Sequence, residues 1–187
     1  EATEDVPPLY GFITPPKTIG RVKAFHGQFG VLVRAYTYIR MHGPDGLRKI
    51  AEHAVLNSNY LLSLLRHRYT LPYDRTYMHE FVLEGVWADA PDVQALDIAK
   101  RLMDYNFHPP TNYFPLIVRE ALMIEPTETE SKQELDAFAT AMLKIADEAH
   151  STPALLKEAP HNTPIGRLDE VKAAKELVLC CWLPEQE

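Results

Sequence analysis

Residues 107–131 read FHPPTNYFPLIVREALMIEPTETES, and this stretch decides the fold. A histidine stands between an aromatic residue and two prolines. Two short apolar runs follow, read as strands over about 113–118 and 121–125, and then a turn rich in threonine and glutamate. After Ser131, the residues Leu135, Phe138, Ala139, Met142, Ile145, Ala146 and Ala149 recur at helical spacing. The order is therefore loop, strand, turn, strand, helix. Ser131 followed by Glu134 is a capping-box signature for the start of that helix. A helix start presents unpaired N–H groups and a positive dipole end, so Glu125, Thr127, Glu128 and Glu130 crowd a place where anions are favoured. That explains the acidic turn without any catalysis.

Upstream of this stretch, Ile98, Ala99, Leu102 and Met103 give residues 94–105 the pattern of a short helix, with Asn106 placed as its left-handed C-terminal cap. Residues 76–86, TYMHEFVLEGV, alternate as a strand does, with Tyr77, His79 and Phe81 on one face and Met78, Glu80 and Val82 on the other. Before them, Leu47, Ile50, Ala51, Ala54, Val55, Leu62 and Leu65 form one stripe of a long amphipathic helix that opens at Pro44-Asp45. The largely apolar run between Gly27 and Met41, closed by Gly43-Pro44, reads as a buried helix. Prolines 7, 8, 15 and 16 make residues 1–20 an extended lead-in or linker. Residues 21–158 then form the domain, and 159–187 a proline-studded, irregular tail.

These elements give an α+β domain in which a small, mainly antiparallel sheet has helices packed on it. An apolar first helix without an obvious partner implies a face built to dock on something outside the domain.

With 187 residues, of which 46% are hydrophobic and 24% charged, the chain can bury one core. Its net charge is -7 and its 19 Lys and Arg are scattered singly, which excludes a phosphate-neutralising stripe and makes nucleic acid an unsuitable partner. No apolar run approaches the ~20 residues that span a bilayer, so no membrane is expected. The N-terminus shows neither the basic nor the apolar region of a signal peptide. The only two cysteines, Cys180 and Cys181, are adjacent, which fits neither a disulfide framework nor a metal pair. A reducing, cytoplasmic setting is the simplest expectation.

Several polar residues invite a functional reading. His108 is held by fixed proline φ angles in a loop between helix and strand, where it serves either a ligand or the dipole of the preceding helix. Glu125, Thr127 and Glu128 lie between a strand end and a helix start, a common position for ligand-facing groups and equally for capping. His79-Glu80 lacks the second histidine of a zinc motif, so His79 is expected as a half-buried strand residue and no metal site is expected. Tyr36, Tyr38, Tyr60 and His26 are read as core and interface residues.

Three runs in this chain carry a family resemblance. KTIGRVKAFHGQFGVLVRAYTYIRMHGPDGLRKIAEHAVLNSNYLL, DIAKRLMDYNFHPPTNYFPLIVREALMIEPTETESKQELDAFATAM and APHNTPIGRLDE together resemble the C-terminal part of the P-protein of the glycine cleavage system, glycine dehydrogenase (decarboxylating), in its second-subunit form. The resemblance runs from about Lys17 to about Ala174. It implies the C-terminal small domain of a fold-type-I pyridoxal-phosphate enzyme, an oxidoreductase that decarboxylates glycine and passes the aminomethyl group to the lipoyl H-protein. It implies as partners the large domain and the first subunit of the P-protein. It also implies that His108 and Thr111 approach the cofactor pocket, that Glu125, Thr127 and Glu128 lie near it, and that His161 reaches back toward it. Asn162 stands where the family has threonine and Asn106 where it has glycine.

A pyridoxal-phosphate enzyme needs a lysine to attach the cofactor. In the family that lysine follows a histidine in a Gly-rich motif, and this chain has neither a His-Lys dipeptide nor such a motif. The chain is thus expected to be the small domain without its catalytic large domain, inactive alone, with no catalytic residue of its own. Two other readings stay open: a non-catalytic assembly domain, and a transaminase-type small domain with Arg119 for a substrate carboxylate.

Overall fold

A computed structural model describes residue 11 and residues 13–179. Most of the lead-in, including Pro7 and Pro8, and the pair Cys180 and Cys181 lie outside the described residues. The elements run α1 (Phe29–Leu65), β1 (Phe81–Glu84), α2 (Ala95–Asp104), β2 (Thr111–Asn112), β3 (Ala121–Ile124), α3 (Lys132–Ser151), α4 (Pro153–Lys157) and α5 (Glu170–Lys175).

α1 is interrupted at Gly43, whose φ of 63° and ψ of -176° are non-helical. Only glycine adopts that conformation without strain, and Pro44 then occupies the first turn of the next helical segment, where its missing N–H costs nothing. The chain divides into two compact units at this point, the first ending at Gly43 and the second starting at Pro44. The sequence places its boundary near residue 20 instead.

In the first unit the expected helix forms, but the expected burial does not follow. Phe29, Val31, Leu32, Tyr36, Tyr38 and Ile39 are all exposed. An apolar helix face is buried only by an element that covers it. Tyr36 and Tyr38 are therefore not core residues, and His26 pairs with Lys23 through Nδ1 to Nζ at 2.7 Å.

The second unit holds the core. Its sheet has three antiparallel strands in the order β1-β3-β2, with Phe81 opposite Ile124, Glu84 opposite Ala121 and Thr111 opposite Met123. The small antiparallel sheet with packed helices is the α+β architecture anticipated from the sequence. Phe81 and Leu83 point inward, against Leu61 and Leu65 of α1, Ile98 and Leu102 of α2 and Met142 and Ile145 of α3, all fully or almost fully buried.

The strands are shorter than their apolar runs. The run at 113–118 is not a strand: it forms a turn between β2 and β3, with φ of 62° at Tyr113 and 47° at Glu120, and β2 lies just before it at Thr111–Asn112. Pro115 within the run lacks the N–H a ladder requires. β1 begins at Phe81, so His79 stands ahead of the strand and is exposed. Just before the tail, α4 docks through fully buried Leu156, and the tail itself is more regular than its composition implies, with α5 capped by Asp169 Oδ1, which accepts from Lys172 N at 2.9 Å.

Candidate functional site

α2 ends in a Schellman motif: Phe107 N–H donates to Leu102 O at 3.1 Å and Asn106 N–H to Met103 O at 3.0 Å, with Asn106 at φ 64°. The chain leaves the helix in a fixed direction. Phe107 then meets Phe138 of α3 edge to face, centroids 5.3 Å apart. This anchor and the two following prolines place His108. Three residues later Thr111 enters β2 opposite Met123.

The other side is the acidic turn. β3 ends at Ile124, Glu125 follows, and Pro126 is buried. The Asn57 side-chain amide of α1 donates to Thr127 O at 2.9 Å and to Glu130 O at 3.2 Å, which fixes the turn against the helix. Ser131 Oγ accepts from Glu134 N–H at 3.2 Å, so the anticipated N-cap forms.

Between loop and turn lies an open cavity of about 410 Å³. His108, Thr111, Glu125, Glu130 and Glu134 supply its polar lining; Leu61, Met123, Ile124, Leu135 and Phe138 supply its apolar one. Three of the sequence candidates, His108, Thr111 and Glu125, thus border one concavity. Thr127 and Glu128 belong to the same turn but do not line it. Thr127 Oγ1 instead pairs with Thr129 Oγ1 at 2.7 Å.

His161 is turned elsewhere. Its Nε2 lies 2.8 Å from Leu155 O, and its backbone N–H donates to Asp104 Oδ1, which also accepts from Asn162 N–H at 2.8 Å. Burial opposes ionisation of Asp104, yet the Asn162 and His161 N–H groups and the Arg101 guanidinium hold its carboxyl below the usual carboxylate range. Arg101 in turn grips Glu148 with two hydrogen bonds, of 2.8 and 2.9 Å. The 159–163 segment is therefore latched to the end of α2 by a charged network that no spacing rule in the sequence signals.

The sequence also missed His79 as a neighbour of the cavity. Its Nε2 lies 3.9 Å from Glu125 Oε1, both side chains being about half exposed. Among the described residues no group of three or more His, Cys, Asp or Glu is arranged to hold a metal, and no helix is long and apolar enough to cross a membrane. Arg119 is exposed in the turn before β3 and is not among the residues lining the cavity.

Residues 50–163 match the family described as glycine dehydrogenase, C-terminal domain. The chain belongs to that family. A probable glycine dehydrogenase (decarboxylating) subunit 2 from Chlorobium phaeobacteroides is 61% identical over 169 residues, which cover 90% of this chain and 35% of that protein. Its counterpart from Listeria welshimeri is 58% identical over 164 residues, 88% of this chain and 34% of that protein. The chain spans about a third of the length of the curated relatives it matches.

One solved structure, the crystal structure of glycine decarboxylase (P-protein) of the glycine cleavage system in inhibitor-bound form, aligns with a TM-score of 0.51 at 21% identity, covering 58% of this chain and 24% of that one. At that identity the likeness concerns the fold. The cavity falls within the residues matched to the glycine dehydrogenase C-terminal family, since its lining residues run from Leu61 to Phe138.

Proposed function

We propose that this chain is the C-terminal domain of subunit 2 of a glycine dehydrogenase (decarboxylating), and that the cavity beside His108 forms one wall of the pocket in which that enzyme handles glycine. The observation that carries the reading is the 61% identity over 90% of the chain to a relative of that name. In this reading the whole enzyme decarboxylates glycine with pyridoxal phosphate and passes the aminomethyl group to the lipoyl H-protein, in the cytoplasm and together with a first subunit.

The cavity does not fit pyridoxal phosphate on its own. Its lining includes neither lysine nor arginine, so it supplies no group to attach that cofactor and no cation for its phosphate. What its residues offer is placement. Glu125 accepts hydrogen bonds from an amino group, His108 and Thr111 present both donors and acceptors, and the apolar lining displaces water from around them. Thr127, Glu128 and His161 enter this reading through the family resemblance alone.

The test is a chimera in which this chain replaces the matching 169 residues of the Chlorobium phaeobacteroides relative. Glycine-dependent carbon dioxide exchange, assayed with H-protein and pyridoxal phosphate, is expected within about tenfold of the parent. The 187-residue chain alone is expected to show none. A folded chimera without exchange activity would overturn the reading.

A second reading, a domain that serves assembly and no chemistry, is favoured by the exposed apolar residues of α1 and by Phe114, Leu116 and Ile117 in the β2–β3 turn. It predicts a chimera that assembles and keeps its activity when His108 is removed.

A further inference from the structure

A second cavity, of about 320 Å³, opens on the second unit away from His108. One wall is a single face of α1, where Asn59, Leu62, Ser63 and Arg66 follow one another at helical spacing. The other wall is the loop Asp74, Arg75 and Thr76. Two arginines therefore line one polar groove on a chain whose net charge is -7.

The groove is preformed. Asn59 clamps the loop as a strand partner would: its Oδ1 accepts from Tyr77 N–H at 3.0 Å and its Nδ2 donates to Tyr77 O at 2.7 Å. The nearly buried Tyr77 donates from its hydroxyl to Tyr73 O at 2.7 Å, closing the loop on itself. Arg75 lies over the Tyr77 ring, 5.5 Å from its centroid, and has no carboxylate partner within salt-bridge distance among the described residues. Stacking occupies the face of a guanidinium and leaves its N–H edge free.

Arg66 meets Asp74 through one contact, Nη2 to Oδ1 at 2.8 Å, with both side chains half exposed or more. An exposed ion pair of this kind is weak and readily exchanged for another anion. Five N–H donors on each arginine exceed what one carboxylate satisfies, and the Thr76 hydroxyl adds another donor. A tetrahedral oxyanion, with more acceptor oxygens than a carboxylate, matches that excess.

We propose that this groove binds a small phosphate-type oxyanion, free or as a monoester, between Arg66 and Arg75, with Asp74 as the internal competitor that the ligand displaces. The proposal is independent of the function proposed for the His108 cavity.

The experiment is a titration of the 187-residue chain with inorganic phosphate, methyl phosphate or acetate at constant ionic strength, following the backbone amides of residues 74–77 by NMR. Saturable shifts with a phosphate are expected. Arg75→Gln should weaken binding by roughly tenfold, and Asp74→Asn should strengthen it. The Asp74 variant removes a competitor and adds no strain, so it reports even if the Arg75 variant loosens the loop. Tighter binding of methyl phosphate assigns the groove to an organic phosphate, and tighter binding of inorganic phosphate to the free ion. No saturation, an equal response to acetate, or affinity unchanged in both variants would overturn the proposal.

Discussion

Gly85 N–H donates to Glu120 O at 2.7 Å, and a Cβ built on Gly85 would stand only 3.0 Å from that same oxygen. The bond joins the end of β1 to the turn that leads into β3. The Glu120 carboxylate continues the connection by accepting from Ala95 N–H, at the start of α2, at 2.9 Å. One close approach of backbones thus ties strand, turn and helix. Gly85→Ala would also press on Ala95 Cα and Cβ at 3.1 Å, and it should cost about 1–3 kcal/mol by overpacking. Urea unfolding of the two proteins reads this directly; an unchanged midpoint would show that the turn gives way freely.

The Asp104 and Glu148 carboxyls predict an acid limb of stability. Burial raises each, but hydrogen bonds outweigh it: the N–H groups of Asn162 and His161 at Asp104, the Arg101 guanidinium and the Tyr105 hydroxyl at Glu148. Both folded-state values therefore lie below the unfolded ones. Their stabilisation is complete above the unfolded carboxylate range of about 4, and it is lost as pH falls through the folded values. Asp104→Asn should lower the midpoint of unfolding at pH 7 and flatten its decline in acid. A parallel decline in both proteins would remove Asp104 from that role.

Arg101→Met leaves two carboxylates without their shared cation, and the loss should reach about 3 kcal/mol, because breaking a largely buried pair strands its charge. Arg101 and Asp104 are 14% and 2% exposed at their side chains. Proteolysis rates at residues 159–163 should rise with it, since Asp104 holds that segment.

His108→Ala in the chimera should lower glycine-dependent exchange at least tenfold with little change in melting temperature, because the side chain is exposed. Unchanged activity would favour assembly over chemistry.

Ser131→Ala should cost about 1 kcal/mol through loss of the N-cap of α3. Amide exchange at Glu134, whose N–H the serine accepts, is the local readout.

What was legible in the sequence was whatever one element encodes by itself. Asn106 announced a left-handed helix end, Ser131 a helix start and Gly43-Pro44 a break, because each is a local backbone demand met by a residue with few rivals. The run at 113–118 misled because β-branched and apolar content cannot distinguish a strand from an apolar turn, and here Pro115 and the left-handed Tyr113 decide for the turn. The site divided in the same way. His108, Thr111 and Glu125 came together because they flank one hairpin, whereas the bond from Asp104 to His161 joins residues 57 apart and leaves no periodic trace. Alternation alone puts His79 in a strand, whereas the strand begins two residues later, at Phe81, and this hides the approach of His79 to Glu125.

Asn57 has a wider consequence. A single side-chain amide on α1 holds the carbonyls of Thr127 and Glu130, so the turn that forms one lip of the His108 cavity is fastened to the helix as a jaw is to its handle. Because both bonds come from one side chain, the lip keeps its place against the helix only as long as Asn57 keeps its own.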